Sequence, residues 1–322
     1  MTIEQNTTYD LIIIGGSAAG TAAGIYAARR KLNFQIISKD FGGEVATSGE
    51  IGNWPGMVHT DGLELSDLFL KHLKSLGVEP ELDIWVESIK KQDDGSFLID
   101  AKAGEEPREY QAKAVIITTG VHPKELNIPG EKEFRNKGVS YCTVCDGPLF
   151  GGKVTSVIGG GNSALESALM LADISSKVYV INKNAQFKGD QILIDNLNTK
   201  KNVEILYNTD TLEILGDEYV TGIKYIQRDP TGSKLGREPS TVALGGIFVH
   251  IGMIPNSGLV PAEVEKDNMG QIVVNMNGET NVPGLFAAGD VTNIAYNQIV
   301  IAAGQGTIAL LSAVNYLNRI KN

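Results

Sequence analysis

The stretch Tyr9-Asp10-Leu11-Ile12-Ile13-Ile14-Gly15-Gly16-Ser17-Ala18-Ala19-Gly20 says most about the fold. Tyr9 to Ile14 is an apolar run of strand length, the glycines form a turn, and an alanine-rich stretch to Arg30 has the composition of a helix. A second apolar run, Phe34 to Ile37, follows, giving a strand-helix-strand unit with its glycine turn where the helix begins. The pattern recurs later. Strand Val154 to Ile158 leads into Gly159-Gly160-Gly161-Asn162-Ser163-Ala164, then a helical stretch to about Ala172 and strand Val178 to Ile181.

Between the two units, the charged and turn-rich segment Asp93 to Arg108 reads as surface hairpins, and Ala114-Val115-Ile116-Ile117-Thr118-Thr119-Gly120 as a buried strand ending in a turn. Gly284-Leu285-Phe286-Ala287-Ala288-Gly289-Asp290 repeats that strand-then-turn pattern, and a helix from about Gln298 to Asn318 follows. These patterns predict an α/β fold of two doubly wound, Rossmann-like dinucleotide-binding domains, the second inserted into the first. The crossings are expected near Gly120 and Phe248, so residues 1–119 and 248–322 form one domain and 120–247 the other.

A dinucleotide carries a pyrophosphate, and a helix start offers it free N–H groups and a favourable dipole. In the first turn Ser17 stands where the Gly-x-Gly-x-x-Gly pattern has its middle glycine; the second reads Gly159-x-Gly161-x-x-Ala164. Each alone is a weak signal, since glycine turns at strand ends are ordinary punctuation. Together, each between a strand and a helix, they point to two dinucleotide sites.

The chain of 322 residues has only two cysteines, in Cys142-Thr143-Val144-Cys145. That is too few for a disulfide framework, and a structural zinc site needs about four ligands. His59, His72, His122 and His250 are dispersed, and no metal site is expected. In a reducing compartment a lone Cys-x-x-Cys points to redox catalysis. A net charge of −10 argues against nucleic-acid binding. No unbroken run of about 18 apolar residues suggests a membrane span. The polar start MTIEQNTTYD lacks the marks of a secretory signal, so a cytoplasmic protein is expected. A hydride and a disulfide reduction each move two electrons, and flavin is the usual intermediary between them. Two dinucleotide sites and one Cys-x-x-Cys therefore share a single use.

With these motifs the chain resembles the low-molecular-weight thioredoxin reductases and the related flavoprotein module of alkyl hydroperoxide reductases. The resemblance rests on Tyr141-Cys142-Thr143-Val144-Cys145-Asp146-Gly147, the turn Gly159 to Ser163, Asn53-Trp54-Pro55-Gly56, and Val282-Pro283-Gly284-Leu285-Phe286-Ala287-Ala288-Gly289-Asp290. It implies FAD in the first domain, a nicotinamide cofactor beside the cysteines in the second, a homodimer, and a domain rotation that exposes the reduced dithiol to a thioredoxin-like protein disulfide. By position it makes Cys145 the flavin-proximal sulfur, Cys142 its partner, and Asp146 the acid managing protons. A carboxylate alone would raise a thiol pKa, so Asp146 suits a proton carrier better than an activator, with a helix cap as the plainer alternative. Gly15, Ser17, Ala18, Ala19, Gly20, Asn53, Thr119, Gly120, Gly289, Asp290 and Gln298 would contact FAD. Gly159, Gly161, Asn162, Ser163 and Ala164 would hold the nicotinamide cofactor.

The chain departs from the pattern at the cofactor's adenosine end. Where the reductases carry His-Arg-Arg, this sequence has Asn182-Lys183-Asn184, with Lys188 later; where the hydroperoxide reductase module carries a glutamate, Asn182 stands. Lys183 and Lys188 lean toward NADPH over NADH. Asn297-Gln298 replaces an Arg-Gln pair, removing a charge near FAD. The expected activity is NAD(P)H-dependent thioredoxin-disulfide reduction. Its rivals are a relative serving a peroxiredoxin system, one fed by ferredoxin or reduced flavin, and a regulatory flavoprotein without turnover.

Overall fold

The computed structural model describes residues 8–48, 50–229, 233 and 238–320. The chain divides into two compact units: residues 1–48, 52–122 and 254–322, and residues 49–51 with 123–253.

The first unit is built on a six-stranded sheet. Strand Thr8–Gly16 lies between Phe34–Phe41 and Glu106–Ile117, parallel to both, and Leu285–Ala287 pairs parallel with Glu106–Ile117. Both faces are covered, so the apolar runs are nearly continuous. Leu11, Ile13, Ile36, Ala114, Ile116 and Phe286 point to helices Ala18–Arg29 and Ile299–Ile320, while Ile12, Ile14, Ile37, Val115, Ile117 and Leu285 point to a second core layer. The segment expected to be surface hairpins is part of this sheet. Phe97–Ala103 pairs antiparallel with Glu106–Ile117 and buries Phe97, Ile99 and Ala101, with its charged residues on alternate positions.

The second unit holds a five-stranded parallel sheet in the order Val203–Leu206, Lys177–Ile181, Val154–Ile158, Gly246–Val249, Val139–Ser140. Helix Asn162–Ile174 packs on one face through Ala164, Leu165, Ala168 and Leu171. A three-stranded antiparallel sheet, Thr209–Gly216, Val220–Gln227 and Ser240–Ala243, supplies Ile214, Val220 and Ile223 to the other. Phe248 lies inside this unit, which corrects the expected second crossing: Gly246–Val249 pairs with Val154–Ile158, and the unit ends at Met253.

Helix Ile299–Ile320 closes the first unit. Its 22 residues include a window of mean hydropathy 1.5, long and apolar enough to cross a membrane by length and composition. Uncharged Gln305, Thr307, Ser312 and Asn315 interrupt the strictly apolar run, so a count of apolar neighbours passes over it. Gly306, Ala309, Leu310, Ala313, Val314 and Leu317 build one of its faces into the first unit's core.

Candidate active site

Each unit places a glycine turn at the carboxyl end of a strand inside its sheet, Thr8–Gly16 in the first and Val154–Ile158 in the second, between neighbours on either side. This is the switch point where open α/β sheets bind ligands. In the first unit, Gly15 has φ +116° and a Cβ there would stand 2.4 Å from the Thr118 carbonyl oxygen. Thr118 closes the turn by donating from Oγ1 to Ile14 O at 2.9 Å. Ser17 has φ −104°, in the extended region, so the backbone makes no demand for glycine there; its Oγ donates to Gly42 O at 2.6 Å. Ala18, Ala19 and Gly20 begin the helix, and no side chain caps it. The first-turn N–H groups therefore suit a phosphate.

The second unit repeats this geometry. Gly161 has φ −94°, no side chain caps the helix that Asn162, Ser163 and Ala164 begin, and a Cβ on Gly161 would meet nothing within 4 Å. That open space is what a bound pyrophosphate would use. Asn162 is engaged with the following loop: its Nδ2 donates to Asp190 Oδ2 at 2.9 Å and its Oδ1 accepts from Asp190 N at 2.7 Å. Asn182 is buried, donating to Gln186 O at 2.9 Å and accepting from Asn184 N at 3.3 Å. Lys183 and Lys188 are exposed beyond it.

Other candidates of the first unit gather in pairs. Asn53 Nδ2 donates to Gln298 Oε1 at 3.2 Å, joining two residues expected near the flavin ring. Gly289 N donates to Gln305 Oε1 at 2.8 Å, which fixes the turn that presents Asp290. Burial, with the Glu44 carboxylate second, pushes the Asp290 carboxyl up to about 6. Thr119 and Gly120 are bound by Asn256, whose Nδ2 donates to Thr119 O at 2.8 Å and whose N–H donates to Gly120 O at 3.0 Å.

The cysteines belong to the second unit and are joined as a disulfide with Cα atoms 5.3 Å apart. Cys142 occupies the N-cap of the short helix Thr143–Asp146, and its Sγ accepts from Cys145 N at 3.2 Å. Asp146 ends that helix and precedes the turn Gly147–Phe150, yet its side chain makes no capping bond there. Ser140 Oγ donates to Asp146 Oδ2 at 2.5 Å and accepts from Cys142 N at 3.0 Å, tying the carboxylate to the backbone of the pair. Tyr141 is anchored by donating to Glu131 Oε1 at 3.0 Å; burial foremost, and then this carboxylate, raise its hydroxyl pKa. Among the described residues, no three His, Cys, Asp or Glu side chains gather to hold a metal.

Sequence reasoning missed the supports: Thr118, Asn256, Ser140, Glu131 and His250. Glu131 and Ser140 precede the Cys-x-x-Cys motif, within reach of a search for polar residues beside it. Thr118 precedes the singled-out Thr119. Asn256 and His250 carry no local signal, since their partners are 137 and 107 residues away in the chain.

Residues 9–306 match the family model for the pyridine nucleotide-disulphide oxidoreductases, and the chain belongs to that family. Membership implies FAD and a nicotinamide cofactor, and both glycine turns fit such groups. The chain is 40% identical over 311 residues to a Bacillus subtilis protein named NADH dehydrogenase, covering 97% of this chain and 59% of that one. It is 40% identical over 325 residues to a Pseudomonas putida protein named as one of the subunits of alkyl hydroperoxide reductase, covering 98% and 60%. The chain thus spans about three-fifths of the length of these relatives. The solved thioredoxin reductase of Streptococcus pyogenes superposes with a TM-score of 0.88 at 33% identity, covering 98% of this chain and all of that one.

Proposed function

We propose that this chain is an FAD-dependent thioredoxin-disulfide reductase. The net reaction converts NAD(P)H, a proton and a protein disulfide to NAD(P)⁺ and a protein dithiol. The observation that carries this reading is the Cys142–Cys145 disulfide, capped by its own helix N–H and set in the same unit as the second glycine turn. Bound FAD supplies the two-electron relay between nicotinamide and sulfur. Gly15, Ser17, Ala18, Ala19 and Gly20 hold its pyrophosphate. Asp290, Gly289, Thr119, Gly120, Asn53 and Gln298 hold and orient the rest of it. Gly159, Gly161, Asn162, Ser163 and Ala164 seat the nicotinamide cofactor.

Cys142 Sγ already accepts an N–H, so Cys142 is the better-stabilised thiolate of the reduced pair. By its position in the family motif Cys145 is the flavin-proximal sulfur, and Asp146, held by Ser140, carries the proton during exchange. Val144 between the cysteines is exposed, which suits contact with a protein substrate. For the donor, no carboxylate stands in place of Asn182 to meet a ribose hydroxyl, and Lys183 and Lys188 offer cations to a 2′-phosphate; NADPH is favoured over NADH. A cytoplasmic homodimer without nucleic-acid or membrane partners completes the reading. The net charge of −10 supports the absence of nucleic acid, and exposed Val300 and Ile308 on the last helix support self-association.

A second reading keeps the chemistry and changes the customer. The relatives named for alkyl hydroperoxide reductase favour a peroxiredoxin system reached through a thioredoxin- or glutaredoxin-like carrier. Steady-state assays of the FAD-loaded protein with thioredoxin, glutaredoxin and peroxiredoxin acceptors test both. Turnover of thioredoxin alone supports the first reading, turnover only in a peroxide-linked assay supports the second, and turnover of none contradicts both.

A further inference from the structure

In the second unit the glycine turn and the cysteine helix meet at one side chain that neither motif contains. His250 follows strand Gly246–Val249. Its N–H donates to Ile158 O at 2.8 Å, and its carbonyl oxygen lies so close to Gly159 that a Cβ there would stand 2.2 Å away. From that fixed backbone the imidazole reaches Thr143, Nε2 and Oγ1 sharing a hydrogen bond of 2.8 Å. The Thr143 hydroxyl also bonds Ser167 Oγ on helix Asn162–Ile174. One buried hydroxyl is thus gripped from two elements, and it belongs to the first residue of the helix that Cys142 caps.

That helix start aims the Cys145 N–H at Cys142 Sγ, 3.2 Å away. A disulfide sulfur accepts such a bond weakly. On reduction the bond becomes charge-assisted and much stronger, so it favours the dithiol over the disulfide and lowers the thiol pKa. Resting on the reductase reading above, we propose that His250 is a positioning residue: through Thr143 it holds the cysteine helix so that the Cys145 N–H meets the Cys142 sulfur, which raises the reduction potential of the pair. In the half-reaction the S–S bond breaks, two electrons enter, and two protons are taken up, or one when Cys142 remains a thiolate. His250 neither gives nor takes either proton. Burial pushes its imidazole down to about 4, so near pH 7 it is a neutral hydrogen-bonding prop.

The test equilibrates FAD-loaded protein in dithiothreitol redox buffers, alkylates free thiols and reads the midpoint of Cys142–Cys145. His250→Leu is expected to shift the equilibrium three- to tenfold toward the disulfide, about 15–30 mV, and to raise the pH at which Cys142 alkylates. His250→Gln, which keeps a hydrogen-bonding group within reach of Thr143, is expected to recover most of the shift. Thr143→Val is expected to lower the potential at least as much, and the double variant His250→Leu with Thr143→Val to add nothing to Thr143→Val alone. An unchanged potential in His250→Leu, a Gln variant behaving like Leu, or additive shifts would overturn the proposal. If His250→Leu does not fold, Thr143→Val decides, because an unchanged potential there overturns it equally. The titration uses neither nicotinamide nor a protein substrate. Wild-type protein that titrates here but is not reduced by NAD(P)H therefore contradicts the reductase reading separately.

Discussion

Asp290 carries an unfavourable charge before any ligand arrives, because burial and the Glu44 carboxylate both resist its ionisation. Its folded pKa of about 6 lies above the ordinary value of 3.8, so between those values the folded state binds more protons than the unfolded. Stability contributed by this group is present at low pH and is lost as pH rises through that window. In flavin-stripped protein, Asp290→Asn is expected to raise stability above pH 6 by at most about 3 kcal/mol, seen as a smaller fall in melting temperature from pH 4 to 7. The same variant is expected to bind FAD more weakly. An identical pH profile in wild type and variant would contradict the assignment. At the cysteines, Cys145→Ser is expected to abolish disulfide turnover while flavin bleaching by NAD(P)H persists, read by anaerobic absorbance. Cys142, Cys145 and Asp146 were legible in the sequence because their chemistry lies in residue types a few positions apart. Thr143 was not, since its meaning depends on His250, brought beside it only by the fold.

The two glycine turns look alike in sequence but tolerate side chains differently. A Cβ on Gly20 would lie 1.9 Å from the Gly15 carbonyl oxygen, whereas Ala164 occupies the matching place in the second turn and is fully buried. Gly20→Ala is therefore expected to cost about 3 kcal/mol and loosen FAD, and Ala164→Gly only about 1 kcal/mol, both by denaturant unfolding. Equal effects would contradict the close helix–strand approach. Ser17 in place of a glycine meets no backbone strain, since that position is extended in both turns. Strands were legible because sheets buried on both faces leave continuous apolar runs. Their partners were not: Gly246–Val249 suits either unit by composition, and only its pairing with Val154–Ile158 assigns it. Phe248 is fully buried against Phe150, ring centroids 5.2 Å apart, and Phe248→Ala is expected to cost about 3–5 kcal/mol by the same unfolding assay.

For the whole molecule, the internal repetition of the strand-turn-helix unit was enough to read two dinucleotide-binding domains from the sequence. The electron donor was less legible, because Asn182 matches neither of the two cofactor signatures. Its burial and hydrogen bonds make it a brace for the loop that carries Lys183 and Lys188. Flavin reduction is accordingly expected at lower concentrations of NADPH than of NADH in anaerobic titration, with the reverse order contradicting that choice. The proposed function stands or falls on electrons from a nicotinamide reaching Cys142–Cys145 through bound FAD. With only two cysteines in the chain, counting free thiols before and after anaerobic addition of NAD(P)H to FAD-loaded protein tests this directly. No free thiol is expected before the addition and two per chain after it. Flavin that bleaches while the thiol count stays at zero would contradict the electron path.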